Sequence, residues 1–232
     1  MNFIKMTIFK LIRTYWIVIM VALPILYGAL LYWYLGRYDN PKQMFYSYTL
    51  YYNCVLPCGI ALLISLYTQY EEQIGHFNHL LELPRRRMWL LNMMFISWFS
   101  VGVSTGISAV PLWFLIGNSY NQYIVYFLLL TTLFSLPFII LLWFIALKVN
   151  VSLSLGIGIF FSLFLTLFGA NSLGDTIWMY VPFLYGTRYL YVMNISFNVS
   201  LFIFSMFLLL TSILLSIVTY WYKRWEGRTI NE

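Results

Sequence analysis

Cys54 and Cys58 stand one helical turn apart around Pro57, and His76 and His79 stand at i and i+3. These are the residue types and spacings that could share a metal ion or form a redox pair. Neither pair has a third ligand near it in the sequence, so two small apolar packing residues and two solvated loop side chains account for them. The remaining acids are equally scattered. Asp39 and Asp175 have no histidine, serine or cysteine arranged around them as nucleophile and base, so no catalytic constellation and no metal site is read from the chain. The phosphate-cradling pattern G-x-x-x-x-G-K-[ST] is missing, and no glycine is followed by lysine. ATP hydrolysis by a P-loop route is therefore excluded for this sequence.

The elements available to position any such chemistry are apolar. Of 232 residues, 62% are hydrophobic, 21% aromatic and 9% charged, and the mean hydropathy is +0.82. Soluble domains carry roughly 25% charged residues, and a chain of this length in water exposes too much surface for so few charges to cover. Soluble-enzyme and disordered classes are excluded, and an integral membrane protein is expected. Six uncharged runs are long enough to cross a bilayer, centred on Tyr15–Leu35, Tyr48–Tyr67, Leu91–Ile116, Ile124–Leu147, Val151–Phe168 and Val199–Tyr222. They are continuous rather than alternating, which predicts helices and not a β-barrel.

Charge sets the expected orientation. With the N-terminus in the cytoplasm, ten basic residues fall inside and three, Arg37, Lys42 and Arg188, outside. The formal net charge of +6 then follows from topology and implies no nucleic-acid partner. The first apolar run is too long for the core of a cleaved signal peptide. No span carries an Asp, Glu, Lys, Arg or His near its centre, which disfavours ion-coupled transport. Fourteen of the twenty tyrosines, Tyr32, Tyr48, Tyr180 and Tyr185 among them, fall near the expected outer face. That excess reads as an interfacial belt or as a mouth for an amphipathic molecule.

Small residues predict where helices approach. Gly102 and Gly106 form a G-x-x-x-G in the third run, and Ser154, Gly158 and Ser162 repeat at four-residue spacing in the fifth. Either set suits packing within the subunit or across a dimer. Pro24, Pro57, Pro111 and Pro137 put one kink candidate in each of the first four runs.

The segment between the second and third runs, Y-E-E-Q-I-G-H-F-N-H-L-L-E-L-P-R-R-R-M-W-L-L-N over residues 70–92, is the most informative. Ile74, Phe77 and Leu81 fall at i, i+3 and i+7, which predicts a short amphipathic helix with Glu71, Glu72 and Glu82 at polar positions. Pro84 then disfavours helical geometry at Leu83. A plain surface helix with a basic triplet at the headgroups has the same pattern.

Glu72, Gly75, Leu80, Leu81, Pro84 and Arg85 also match, in order, the segment joining spans two and three in permeases of type-2 ABC exporters. This chain resembles that family, with Asn92 standing where a lysine is frequent. The resemblance implies a coupling helix, including Phe77, over residues 70–91 that seats on a separate ATPase subunit. It extends to residues 1–14, which are similar to the family's amphipathic connecting helix. It extends also to residues 169–198, which are similar to its extracellular, partly re-entrant helices. The Trp178, Tyr180 and Pro182 pattern, with Tyr185, looks most like the lantibiotic-immunity branch and marks a candidate extracellular mouth.

The fold implied is an all-α polytopic membrane protein: one permease domain over residues 1–232, six spans, both termini inside. The implied function is export of amphipathic or antimicrobial peptides from a bacterial cytoplasmic membrane. The partners implied are an ABC ATPase dimer holding ATP and Mg, a second permease subunit, the same or homologous, membrane lipids and peptide cargo, with no cofactor on this chain. A non-transporting scaffold or sensor that recruits a cytoplasmic partner through residues 70–91 is the alternative.

Overall fold

The computed structural model describes residues 10–75, 77–82, 86–117, 121–189 and 197–227, so residues 1–9 of the expected connecting helix lie outside them. Among the described residues every regular element is helical, and six helices are long and apolar enough to span a membrane. Spans 1 to 6 are Trp16–Leu35, Pro41–Ile74, Arg86–Ile116, Asn121–Lys148, Val151–Gly169 and Phe197–Lys223. Each contains one of the six uncharged runs, except that Tyr15 of the first run precedes span 1. Hydrocarbon offers no partner for a backbone N–H or C=O, so a continuous apolar run satisfies its own backbone as helix.

Polar residues mark where spans begin. Asn40 Oδ1 accepts the Lys42 N–H at 3.0 Å beside Pro41, the first residue of span 2. Asn150 Oδ1 accepts the Leu153 N–H at 2.6 Å and starts span 5 directly after Lys148. Pro24, Pro57 and Pro111 lie inside uninterrupted helices, whereas Pro137 follows a one-residue interruption at Ser135 that divides span 4. Proline removes one N–H from the helical ladder, and at Ser135 the hydroxyl donates to the Thr132 carbonyl at 2.8 Å.

Span 2 is the axis of the bundle. Its most apolar stretch is 61% buried, against 17–22% for spans 1, 5 and 6. Span 5 packs on span 2 and span 1 on span 3, while span 6 lies against span 4. The small residues of span 5 make the first contact possible. A side chain at Gly158 would stand 2.3 Å from Ala61 Cβ, and Ser162 Oγ accepts the Cys58 N–H at 3.2 Å. Ser154, fully buried, donates to the Leu142 carbonyl of span 4 at 3.3 Å.

Span 3 joins its neighbours through serines rather than through its G-x-x-x-G. Ser97 accepts Trp143 Nε1–H of span 4 at 2.9 Å, and Ser100 accepts Trp16 Nε1–H of span 1 at 3.0 Å. Ser104 donates to the Met20 carbonyl at 2.9 Å, and the Tyr48 hydroxyl lies 2.7 Å from Ser108 Oγ. Gly102 would make only an ordinary contact with Thr132, and nothing stands within 4 Å of a Cβ at Gly106. Within this chain the close contacts of span 3 therefore lie on the adjacent serine face, because a hydroxyl both fits a tight interface and bonds across it.

Candidate functional site

Alternation of the spans gathers Lys10, Arg86, Lys148, Lys223 and residues 70–75, 77–82 and 86–92 at one end of the bundle, here the basic end. The helix of span 2 runs on through Tyr70, Glu71 and Glu72 to Gly75. Phe77 then adopts φ +67, and a separate turn covers Asn78–Leu81. The continuous amphipathic helix expected over this stretch is therefore broken, and Ile74, Phe77 and Leu81 share no face. Ile74 is 59% exposed, Phe77 and Leu80 are buried, and Leu81 is half-buried. A phenylalanine in the left-handed region carries a steric penalty, which its packing must offset. Its ring meets Trp225 edge-on at 5.5 Å.

Trp225 belongs to a chain of rings that ties the segment to five of the six spans. It stacks on Tyr222 at 5.3 Å, Tyr222 stacks on Trp89 at 5.9 Å, and Trp89 meets Trp143 at 6.0 Å. Tyr67 touches Trp16, Trp89 and Trp143 at 5.9–6.4 Å. Such offset and edge-to-face pairs each add about 0.5–1.5 kcal/mol beyond simple burial. The Tyr222 hydroxyl is buried with no hydrogen-bond partner among the described residues.

Two charged contacts frame this aromatic cluster. Lys10 Nζ sits 2.7 and 2.9 Å from the two Glu71 carboxylate oxygens, with the Glu71 side chain 3% exposed. Arg86 Nη1 donates to the Trp225 carbonyl at 3.1 Å. The chain before span 1 is thereby bound to the base of span 2, and the base of span 3 to the chain after span 6. Glu72 and Gly75 end the span 2 helix, while Pro84, Arg85 and His76 lie outside the described residues, as does the His79 side chain. Neither Lys10–Glu71 nor Arg86–Trp225 was predicted from the sequence, since each joins residues far apart in the chain.

At the opposite end, span 5 closes in a π-helical turn, Leu165–Gly169, and the link that follows folds back as short helical turns. Arg188, 4% exposed, holds it. The guanidinium donates to the Phe168 carbonyl at 3.1 and 3.3 Å, to the Asn171 carbonyl, and to Asp175 Oδ1 at 2.6 Å. The end of a helix leaves carbonyls without partners, and a buried cation satisfies them.

Of the expected mouth residues, Trp178 and Tyr185 are buried, Pro182 is half-buried and Tyr180 is 68% exposed. Trp178 and Tyr185 meet edge-on at 6.4 Å, and the Tyr185 hydroxyl donates to the Met179 carbonyl at 2.8 Å. Tyr185 also packs on Phe134, and Phe183 lies between Phe138 and Phe161. Phe134 is thirteen residues, or about 20 Å, along span 4 from Asn121, so the link descends well inside the bundle.

Cys54 is buried and Cys58 half-buried, both as free thiols, and among the described residues no three His, Cys, Asp or Glu side chains converge to hold a metal. Fold and sites define a multi-pass helical membrane protein whose basic end clamps an inter-span segment and whose other end is capped by a folded link. No family model, no curated protein and no solved structure matches the chain.

Proposed function

We propose that this chain is the membrane-spanning permease subunit of an ABC exporter that expels amphipathic or antimicrobial peptides, as in lantibiotic immunity. The observation that carries this reading is the attachment of residues 71–81 to the bundle through Glu71–Lys10 and Phe77–Trp225. A push on that segment would reach spans 1, 3, 4 and 6 through rigid side-chain contacts, which is what a coupling element must do. The ordered match of Glu72, Gly75, Leu80, Leu81, Pro84 and Arg85 supports the same reading.

In this proposal both termini and the basic end face the cytoplasm of a bacterium, and residues 1–14 lie along the inner leaflet. The link over residues 169–198 forms extracellular, partly re-entrant helices, with Tyr180 at the mouth. Two such permease subunits, identical or homologous, join two ATPase subunits. ATP and Mg bind those partners, and this chain performs no hydrolysis. Spans without central charges suit a peptide or lipid-like cargo, since a charged guest would meet no counter-charge there.

The test is purification of the tagged chain in mild detergent from its host, with mass spectrometry of what accompanies it. A stoichiometric P-loop ATPase is the expected result. The chain alone, or with a partner lacking nucleotide motifs, overturns the exporter reading in favour of a scaffold, sensor or pore.

A further inference from the structure

Where the folded link meets spans 2 and 4, the bundle encloses a small cavity of about 10 Å³. Six of its nine lining residues are at most 4% exposed. Three of those six carry side-chain oxygens: Asn53 of span 2, Ser135 at the interruption in span 4, and Thr187 of the link. Gly186 keeps the space free, since a Cβ there would stand 3.1 Å from Asn53 Oδ1.

The hydrogens that these three side chains can donate are already committed. Asn53 Nδ2 donates to the Thr49 carbonyl at 2.8 Å and to Thr131 Oγ1 at 3.2 Å. Ser135 Oγ donates to the Thr132 carbonyl and Thr187 Oγ1 to the Leu184 carbonyl, each at 2.8 Å. Only acceptors remain. Asn53 is 3% exposed, and its Oδ1 accepts no hydrogen bond from the described residues. A buried amide oxygen without a donor is costly, and more so inside a bilayer, so the occupant must donate. Size and charge narrow the choice. One water needs about 10–15 Å³ of such space and about two to four polar partners, which this cavity supplies. A sodium ion would also take the lone pairs, but no carboxylate lines the cavity to balance its charge.

We propose that this cavity holds one water molecule, which donates one hydrogen to Asn53 Oδ1 and the other towards the hydroxyl oxygens of Ser135 and Thr187. Among the described residues the link's side-chain hydrogen bonds go to itself, to the end of span 5 and to span 6. The water therefore supplies the polar connection from the link to spans 2 and 4. The site does not depend on the exporter reading, and its test contains no transport measurement.

The full chain in nanodiscs is given a short X-ray pulse, which turns water into hydroxyl radicals, and its peptides are mapped by mass spectrometry for added oxygen. A held water is the nearest radical source for the buried rings that line the cavity, so oxygen is expected on Phe134 and Phe138. Phe127, equally buried but about 10 Å nearer the Asn121 end of span 4, should stay unlabelled. Thr187→Val keeps the side chain's shape, removes one acceptor and should lower the Phe134 and Phe138 yields by about fivefold, the loss expected for one hydrogen bond. Gly186→Ala fills the space next to Asn53 Oδ1 and should do the same, so the result does not rest on one variant's folding. Ser205→Ala, an exposed hydroxyl of span 6 outside the cavity, should change nothing. Unlabelled Phe134 and Phe138 would mean a dry cavity and would overturn the proposal. Equal labelling of Phe127 would overturn it in favour of an open solvent path, and labelling that arises only in sodium-free buffer would overturn it in favour of a bound cation. Yields unchanged in both Thr187→Val and Gly186→Ala would also overturn it.

Discussion

Lys10 and Glu71, 61 residues apart, meet at 2.7 Å with the carboxylate almost wholly enclosed, and this one contact fastens the chain before span 1 to the last turns of span 2. Removing one partner of a buried ion pair leaves the other charge uncompensated, at a cost of about 3–5 kcal/mol. Glu71→Ala and Lys10→Ala should each lower the melting temperature in detergent. The double variant should recover part of the loss, and strictly additive losses would show that the two residues do not interact in solution.

Phe77 and Ile74 separate folding from partner contact. Phe77→Ala removes a buried ring from Trp225 and should destabilise the basic end by about 3 kcal/mol. Ile74→Ser alters an exposed side chain and should leave melting unchanged while weakening co-purification of the proposed ATPase. Retention of the ATPase at wild-type stoichiometry with Ile74→Ser would remove that residue from the docking surface.

Arg188 should govern the order of the link. Arg188→Ala strands the Phe168 and Asn171 carbonyls and should speed deuterium uptake and protease cleavage between residues 165 and 189. Asp175 carries the outward half of the contact, with its side chain 62% exposed, so Asp175→Asn should change both rates far less. Equal effects of the two substitutions would argue that the ion pair, and not carbonyl capping, holds the link.

Gly158 and Gly106 should respond oppositely to the same change. Gly158→Ala drives a methyl into Ala61 and should cost about 1–3 kcal/mol through overpacking. Gly106→Ala meets nothing within 4 Å and should be neutral or stabilising by up to about 1 kcal/mol, from improved helix propensity. Thermal melting of the two variants decides it, and a destabilised Gly106→Ala would mean that this face is occupied by another chain.

Six spans were legible in the sequence because hydropathy is a local quantity: a run such as Val151–Phe168 has to hide its backbone as helix whatever surrounds it. The Ser154 and Gly158 spacing likewise marked one face of span 5, since four-residue repetition is a property of a single helix. What that face touches, and that span 3 binds through Ser97, Ser100, Ser104 and Ser108 rather than Gly102 and Gly106, depended on how neighbouring helices are rotated. Periodicity predicted one helix through Phe77, but it cannot register that a buried ring on Trp225 stabilises a left-handed residue and ends the helix there. The partners of Lys10, Arg86 and Arg188 were likewise settled only by the tertiary structure. An ion pair or a capped carbonyl depends on distances of a few ångströms between segments up to 139 residues apart, and sequence spacing carries no such information.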